Sequence, residues 1–279
     1  MPNTVFTRLT RRWRPWRLAL SALTLAVVVA WTVAPGWFAP GDPLAGTIAQ
    51  RLQPPSPAHW FGTDQLGRDL YTRVVHGTAL SMEATVFALA LAFVVSTVIG
   101  VTAGYLGGWI DEGFMRVVDV LLSIPSLLVS LMLISALGFG TLNIALAVGI
   151  ASIASFARVT RSQVLKVCLA PYIEAARAYG SPWYVICARH IFPHARGPVL
   201  GLLSVEFGAA ILSISALSFL GYGAAPPTPE WGNLVADGRS YLATAWWLTT
   251  LPGLVIVATV LSVNGLGRAV QTSSPKRLQ

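Results

Sequence analysis

The sequence predicts an all-α membrane protein with six transmembrane helices. Of its 279 residues 54% are hydrophobic and only 11% are charged, whereas a typical soluble domain carries about 25% charged residues. A helix needs about 20 apolar residues to cross a hydrocarbon core of about 30 Å, and several apolar runs reach that length. We place six crossings at 18–38, 80–104, 116–137, 142–160, 198–220 and 247–266.

The first apolar run, 18–38, is predicted to be a retained helix and not a signal peptide. A basic stretch that includes Arg11 and Arg12 precedes it, as in signal peptides. The apolar part is longer than a usual signal-peptide core, and no convincing small-x-small cleavage pattern follows it. We therefore expect residues 1–17 to form a cytosolic segment ahead of a helix that stays in the membrane.

The distribution of basic residues predicts that both termini are cytoplasmic. With the N-terminus inside, 15 of the 19 Lys and Arg residues lie in inside segments, which agrees with the excess of basic residues in cytoplasmic loops. Residues 161–197 then form a cytosolic loop and 268–279 a cytosolic tail, whereas 39–79 and 221–246 are external. Residues 80–267 form a five-helix core.

The polar segment between the fourth and fifth runs is punctuated like two short helices. Pro171 suits the first turn of a helix, and Gly180 suits the position after a helix end, where φ is positive. Ser181 is then expected to be an N-cap with Pro182 at the first helical position, and Pro193 is expected to end this second helix. Such ordering in the largest polar loop predicts that the loop docks into another molecule.

This segment resembles the EAA loop in the membrane subunits of binding-protein-dependent ABC importers, and in particular the dipeptide/oligopeptide/nickel permease family. The resemblance rests on Glu174-Ala175-Ala176-Arg177-Ala178-Tyr179-Gly180, closed by Ile191-Phe192-Pro193, with Phe192 where the family usually has Leu. In that family the loop contacts the ATPase subunit. The resemblance therefore implies an ATPase-coupling site formed by Glu174, Ala175, Ala176, Arg177, Gly180, Arg189, Ile191 and Pro193.

Two further motifs of the same family follow in the expected order. One is His59-Trp60-Phe61-Gly62-Thr63-Asp64-Gln65-Leu66-Gly67-Arg68-Asp69, and the other is Leu-Ser-Phe-Leu-Gly-Tyr-Gly at 217–223 followed by Pro226-Pro227-Thr228-Pro229-Glu230-Trp231-Gly232. Both are expected outside, where they either face the substrate-binding protein and pore mouth or cap the helix ends. The residues assigned to this external surface are Gly62, Thr63, Asp64, Gly67, Arg68, Asp69, Pro229, Glu230, Trp231 and Gly232.

The first external motif also predicts local polar contacts. Thr63 or Asp64 can cap a short helix, and Arg68 and Asp69 can pair with the backbone or with each other. His59 has no neighbouring His, Cys or paired carboxylate in the sequence. We therefore expect a hydrogen-bonding histidine there and not a metal ligand.

The chain is predicted to be a transport subunit without enzyme activity of its own. Its two lysines, Lys166 and Lys276, do not follow a Gly-rich turn, so the sequence has no P-loop for ATP. Cys168 and Cys187 have neither zinc-site nor disulfide-framework spacing and are expected to be free thiols. The resemblance thus implies no metal or cofactor in this chain, with ATP and Mg bound by two partner ATPase subunits.

Two acidic residues are candidates for the transport pathway. Glu83 lies near the outer end of the second run and Glu206 lies within the fifth, and an ionisable group in a membrane helix is a functional candidate by default. Each also has a structural interpretation, since Glu83 can reach interfacial water and Glu206 can hydrogen-bond a neighbouring helix. The family often has a Glu near 214 and an Arg near 79, where this chain has Ile214 and Ala79.

The resemblance implies a permease with the type I ABC importer fold in the plasma (inner) membrane of a prokaryote. Its expected partners are a second permease subunit, two ATPase subunits, an extracytoplasmic substrate-binding protein and the lipid bilayer, but no nucleic acid. Di- or oligopeptides are the expected substrates. The absence of the family's charged residues at Ile214 and Ala79, which alters the charge expected in the pore, favours nickel or a metallophore as the alternative. A channel or secondary transporter that needs no ATPase is the alternative of another class.

Overall fold

A computed structural model describes residues 14–273, and this part of the chain is predominantly helical. The predicted cytosolic segments 1–17 and 268–279 therefore fall partly outside the described residues. Short 3-10 turns at Ile48–Gln50 and Arg239–Tyr241 and a π-helical turn at Cys187–Ile191 complete the helical elements. The helices are α1 (Arg14–Val33), α2 (Pro35–Phe38), α3 (Leu70–Leu106), α4 (Gly108–Ser123), α5 (Ser126–Leu137), α6 (Thr141–Cys168), α7 (Pro171–Ala178), α8 (Trp183–Ile186), α9 (Phe192–Phe219), α10 (Trp231–Gly238) and α11 (Trp247–Ser273).

Within the described residues, five helices are long and apolar enough to cross a membrane: α1, α3, α6, α9 and α11. A sixth crossing exists only if α4 and α5 together form one broken span, because the two helices meet at an angle of 96°. Pro125 disfavours the helical conformation of the residue before it, and Ile124 accordingly adopts an extended conformation with ψ 133°. The prediction of one continuous helix over 116–137 is therefore wrong.

Helix α3 begins at Leu70 and not at the predicted residue 80, so residues 70–79 are not an external loop. Asp69 is its N-cap and accepts a hydrogen bond from the Thr72 amide at 2.8 Å. Because Arg73 and His76 are polar, the sequence predicts a loop where the structure has the first turns of α3. Distant backbone groups contact both side chains, since His76 Nε2 lies 3.0 Å from the carbonyl oxygen of Ala39 and Arg73 Nη1 donates to the Pro43 carbonyl oxygen at 3.4 Å.

Helices α3 and α6 form the central pair of the bundle and approach each other through glycines. A Cβ added to Gly100 would lie 2.6 Å from Thr160 Cβ, and one added to Gly104 would lie 2.8 Å from Val164 Cγ1. Toward the other end of the pair, α9 packs against both helices. The buried cluster there comprises Ala84, Ala88, Leu89, Ala92, Ile134, Ile144, Ala145, Ala147, Val148, Phe156, Val199, Ala210, Ile214 and Leu217.

Ion pairs and a small apolar cluster hold α4 against α6. Arg161 donates to both carboxylate oxygens of Asp111, from Nε at 2.6 Å and from Nη2 at 2.5 Å, and Arg158 pairs with Asp119. Val118 is the buried residue of α4. Because α4 buries so little apolar surface in this chain, the bidentate pairing of Arg161 contributes much of its orientation.

We predict that Gly100→Ala destabilises the bundle by about 1–3 kcal/mol, because a methyl group there meets both a side chain and the backbone of α6. Thermal unfolding in mild detergent, followed by circular dichroism, measures the loss. Gly113→Ala is the matched control, since Gly113 is also helical but nothing lies within 4 Å of its added Cβ. The control should be neutral or stabilising, and equal Tm values for the two variants would contradict the close approach.

Candidate functional site

The polar segment 171–191, which we call the EAA segment, begins and turns as the sequence predicts. Pro171 is in the first turn of α7, and Gly180 follows the C-cap residue with φ +73°. The Gly180 amide donates to the Arg177 carbonyl at 2.9 Å, and the Ser181 amide donates to the Ala176 carbonyl at 3.1 Å. These two bonds form a Schellman motif, which ends α7 and sets the angle at which the chain leaves it.

The second half of the EAA segment differs from the prediction. Pro182, and not Ser181, is the N-cap of α8, whose first residue is Trp183. The helix then continues through the π-helical turn Cys187–Ile191 directly into α9. Pro193 does not end the helix but lies in the first turn of α9, where the wider turn before it accommodates the missing N–H. The EAA segment is therefore continuous with a membrane helix.

One face of the EAA segment is anchored to the bundle. Ile173, Ile186 and Ile191 are fully buried and pack with Val164 of α6. Ala176 is partly buried beside them. Of the residues predicted to couple to an ATPase, Ile191 and Ala176 thus contribute packing within this chain.

A cation–π contact joins the same segment to α3. The guanidinium of Arg177 lies 4.8 Å from the ring centre of Tyr105, close to the last residue of α3. Such a contact contributes about 0.5–1 kcal/mol at an exposed site. Arg177 therefore contacts α3 of the same chain. The EAA segment is linked to α3 and α6 as well as to α9.

The opposite face of the EAA segment is exposed. Glu174, Ala175, Gly180 and Arg189 are all exposed. The sequence analysis did not single out the large exposed side chains of this region, which include Tyr179 at 89% and Leu169 at 81% exposure. Exposed apolar side chains clustered on one surface mark interaction sites. Their sequence signal is that large apolar residues occupy the ends of α6 and α7, where a surface exposed to water would carry polar residues.

We call the opposite end of the bundle, formed by residues 39–69 and 221–246, the far end. Its first motif folds around Asp64, whose Oδ1 accepts from the amides of Leu66 and Arg68 at 2.8 and 2.9 Å. Its Oδ2 accepts from Arg68 Nε at 2.6 Å. Arg68 thus pairs with Asp64 and not with Asp69.

The neighbouring residues of this motif bind the segment before it. Asp69 caps α3 and pairs with His59 Nδ1 at 2.8 Å, which confirms the hydrogen-bonding role of His59. Thr63 does not cap a helix. Its hydroxyl donates to the Gln50 carbonyl and accepts from the Gln53 amide at 2.8 Å.

Two glycines of the first motif are required by its geometry. Gly62 and Gly67 both have φ +74°, a region that other residues rarely adopt. A Cβ on Gly67 would lie only 1.9 Å from the carbonyl oxygen of Thr47. The motif is therefore a compact cap whose backbone is in contact with the loop that precedes it.

Glu230, from the second far-end motif, ties three parts of the fold together. It is 1% exposed and accepts hydrogen bonds from Ser218 Oγ at 2.6 Å, the Ala224 amide at 2.8 Å and Thr141 Oγ1 at 3.3 Å. Ser218 belongs to α9 and Thr141 begins α6. The carboxyl group of Glu230 therefore joins the ends of two membrane helices to the loop between α9 and α10.

Trp231 and Gly232 fix α10 against the bundle. Trp231 is fully buried, and its indole Nε1 donates to the Val74 carbonyl of α3 at 3.2 Å. A Cβ on Gly232 would lie 2.5 Å from the Ser215 carbonyl of α9, and Pro229 is half-buried. These contacts are those of a cap over the helix ends. That the far-end motifs face a binding protein stays a prediction.

The two pathway candidates have different surroundings. Glu206 lies beside Ser155 of the neighbouring helix α6. Glu83 is exposed on α3, beside a groove of about 320 Å³ that Phe87 and Leu142 also line. Ile214, where the family often has Glu, is 2% exposed in the core cluster, so that position does not line a groove in this chain.

No group of three or more His, Cys, Asp or Glu side chains within residues 14–273 is arranged to hold a metal ion. Both cysteines are free thiols, Cys187 buried and Cys168 partly buried. The chemistry offered by the described residues is therefore that of packing, hydrogen bonding and charge.

Helices long and apolar enough to cross a membrane, with an ordered polar segment at one end and an ordered cap at the other, are the architecture of a multi-pass membrane protein. The chain belongs to the family described as binding-protein-dependent transport system inner membrane component, whose sequence model matches residues 96–277. This places it among the permease subunits of ABC importers and confirms the resemblance seen in the sequence. It is a multi-pass protein of the inner membrane.

Curated relatives and solved structures agree with this assignment. The chain is 37% identical over 251 residues to the probable D,D-dipeptide transport system permease protein DdpC of Escherichia coli K12, covering 90% of this chain and 84% of DdpC. It is 38% identical to the glutathione transport system permease protein GsiD of Pectobacterium atrosepticum, over 81% of this chain and 75% of GsiD. The inward-facing MetNI methionine ABC transporter shares the fold, with a TM-score of 0.59 at 16% identity over 73% of this chain and 97% of the other.

We predict that Glu230→Ala destabilises the protein by about 3 kcal/mol or more, because it leaves buried donors of Ser218, Thr141 and Ala224 without an acceptor. Glu230→Gln, which keeps one acceptor oxygen and the shape, should lose less. Thermal unfolding in detergent ranks the variants. The control is Glu112→Ala on the exposed face of α4, which should change Tm little. A Tm for Glu230→Ala equal to that of the control would show that the carboxyl group does not stabilise the cap.

Proposed function

We propose that this chain is the permease subunit of an ABC importer for short peptides and that the EAA segment transmits ATP-driven motion to its membrane helices. The observation that carries the proposal is the continuity of the EAA segment with α9 through the π-helical turn. A partner that displaces this segment displaces a membrane helix with it. A flexible loop at the same position would absorb the displacement.

The anchored face of the EAA segment supports the same mechanism. Buried isoleucines connect it to α6, and the contact between Arg177 and Tyr105 connects it to α3. Motion of the segment is therefore communicated to the close pair α3 and α6 as well as to α9. These helices together form the core of the chain, so they can move as one body relative to a second permease.

The exposed face of the EAA segment is the surface that we assign to the ATPase. Glu174 and Ala175 present a charge and a small side chain, and Tyr179 and Leu169 add large apolar anchors. Buried aromatic anchors typically dominate such interfaces. In the proposed assembly two ATPase subunits bind ATP and Mg, one for this chain and one for a second, related permease.

We infer the orientation from charge. Placing the EAA segment in the cytoplasm puts 15 of 19 Lys and Arg residues on that side, as basic cytoplasmic loops require. Both termini are then cytoplasmic, and the far end faces the substrate-binding protein. Exposed apolar side chains at the far end, such as Trp60 and Leu66, are available to a membrane interface or to that protein.

Peptides are the substrate class that the relatives favour, since the two described above are named for a D,D-dipeptide and for glutathione. The altered pore charges that favoured nickel or a metallophore carry less weight in the structure, because Ile214 is a core residue. An ATPase-independent channel would leave the exposed face of the EAA segment without a partner. We therefore retain the peptide importer as the function.

We predict that Ala175→Glu removes the ATPase from the complex without unfolding the permease. Ala175 is exposed on α7, and an added charge at the centre of an interface is costly unless it is paired. Purification in mild detergent, with the ATPase detected by mass spectrometry, measures the association. Ala243→Glu, at an exposed position of the far end, is the matched control and should retain the ATPase.

An ATPase that stays with both variants at wild-type yield would contradict the coupling surface. A wild-type chain that purifies without any ATPase would contradict the importer itself and make a stand-alone transporter the better explanation.

We predict that Glu206→Gln lowers peptide uptake at unchanged yield of the complex. Glutamine keeps the size and polarity of the side chain beside Ser155 but cannot carry a charge, so the variant tests the charge of Glu206. Ser155→Ala is the control, because it removes the neighbouring hydroxyl group and keeps the carboxyl group. Uptake of labelled dipeptide into proteoliposomes is the measurement, and wild-type uptake by Glu206→Gln would remove Glu206 from the pathway.

A further inference from the structure

The groove beside Glu83 lies between α3 and α6 and has a volume of about 320 Å³. Helix α3 contributes Leu80, Glu83 and Phe87, which share one helix face because residues three or four apart are neighbours on it. Leu142 of α6, which is 61% exposed, also lines the groove. The carboxyl group of Glu83 therefore lies in a groove between two helices of the central pair.

This carboxyl group is the free polar group of the groove. Thr141, the other polar residue of the wall, is buried, and its hydroxyl donates to Glu230 Oε2 at 3.3 Å. The hydrogen bonds and ion pairs within the described residues do not include Glu83, whose side chain is exposed. The rest of the wall is apolar. One unpaired anion in an apolar groove matches a cation that is attached to an apolar body.

The ring of Phe87 strengthens the preference for an organic cation. Phe87 lies about one helical turn from Glu83, is 42% exposed and lines the groove. An ammonium group bonds a carboxylate and is also attracted by the face of an aromatic ring. A hard metal ion requires several oxygen ligands, whereas the groove offers one carboxyl group. The arrangement therefore suits an amine.

Lipid is a poor occupant of this groove. A charged side chain that faces hydrocarbon is costly in a membrane helix. Glu83 belongs to an apolar helix and is nevertheless exposed, so this face of α3 is expected to meet water or a polar group. A pathway between this chain and the proposed second permease supplies such surroundings.

We propose that the groove binds the α-ammonium group of the transported peptide through Glu83, with an apolar first side chain against Phe87 and Leu142. This inference rests on the proposed function, which supplies peptides as the substrate class. A peptide carries this ammonium group at neutral pH, whereas its carboxylate finds no cation in the wall of the groove. The peptide therefore enters with its N-terminus, and its other end stays outside.

A single carboxyl group is appropriate for a transport site. Such a site must bind its cargo well enough to admit it and weakly enough to release it. Exposed ion pairs are weak, so one ion pair with Glu83 permits release. We accordingly expect a moderate effect when the charge of Glu83 is removed.

The test uses the complete transporter in lipid nanodiscs and a dipeptide whose first residue is photo-leucine, a leucine analogue that crosslinks on illumination. The crosslinked residues are identified by mass spectrometry without added binding protein, whose own preference for peptides then does not enter. In the wild type the dipeptide should label residues 80–87 and 141–145, and unlabelled dipeptide should compete. Glu83→Gln should raise the half-saturating dipeptide concentration about fivefold, because it removes an exposed ion pair.

N-acetylation of the dipeptide tests the ammonium group itself. It should weaken labelling of the wild type by about the same factor and cause no further loss in Glu83→Gln, since both changes remove one interaction. Glu112→Gln makes the same change at an exposed residue of α4 outside the groove and should be labelled like the wild type. Leu142→Ala should weaken labelling but keep the ratio between the free and acetylated dipeptides.

Three results would overturn the proposal and leave the importer intact. One is groove labelling that changes neither in Glu83→Gln nor on N-acetylation. Another is wild-type labelling only outside the groove, while the wild type still takes up peptide into proteoliposomes. The third is loss of the second permease from purified Glu83→Gln, which would assign the carboxyl group to a basic residue of that subunit. A wild type that takes up no peptide at all would overturn the proposed function and this inference with it.

Discussion

The close approach of α3 and α6 is the constraint on which the rest of the chain depends. Gly100 and Gly104 let the two backbones meet without intervening side chains, which in a membrane replaces the hydrophobic effect as the source of helix association. Several other elements are bonded to this pair. Helix α9 packs in the core cluster with α3 and α6, and Arg161 of α6 holds α4. The EAA segment packs against one end of α6, and Glu230 accepts a hydrogen bond from its other end.

The two ends of the bundle differ in how their polar side chains are bonded. At the far end, charged and polar side chains are buried and mutually bonded, as Asp64, Arg68 and Glu230 are. At the other end, apolar side chains such as Tyr179 are left exposed beside polar ones. The hydrogen bonds of these far-end side chains lie within the chain, whereas the exposed side of the EAA segment leaves surface for the partner that we propose there.

The sequence predicts features whose causes are local. Long apolar runs, the first-turn Pro171 and the positive φ of Gly180 each follow from a few neighbouring residues. The start of α3 does not follow from its neighbouring residues, because Arg73 and His76 contact backbone groups about 30 positions away or more. The same holds for Glu230 and Trp231, whose burial depends on α3, α6 and α9 together. Local rules also misplace Pro193, because a π-helical turn accommodates it.

The π-helical turn between α8 and α9 also sets the rotation of α8 relative to α9 about the helix axis. Each residue of an α-helix turns the chain by about 100°, and a π-helical turn holds one residue more than the α-helical turn that it replaces. The faces of α8 and α9 are therefore offset from those of a single uninterrupted helix. Deletion of one residue within Cys187–Ile191 would make the helix regular, yet it would swing Ile186 out of the apolar cluster. The irregularity is what keeps both faces in register with their neighbours.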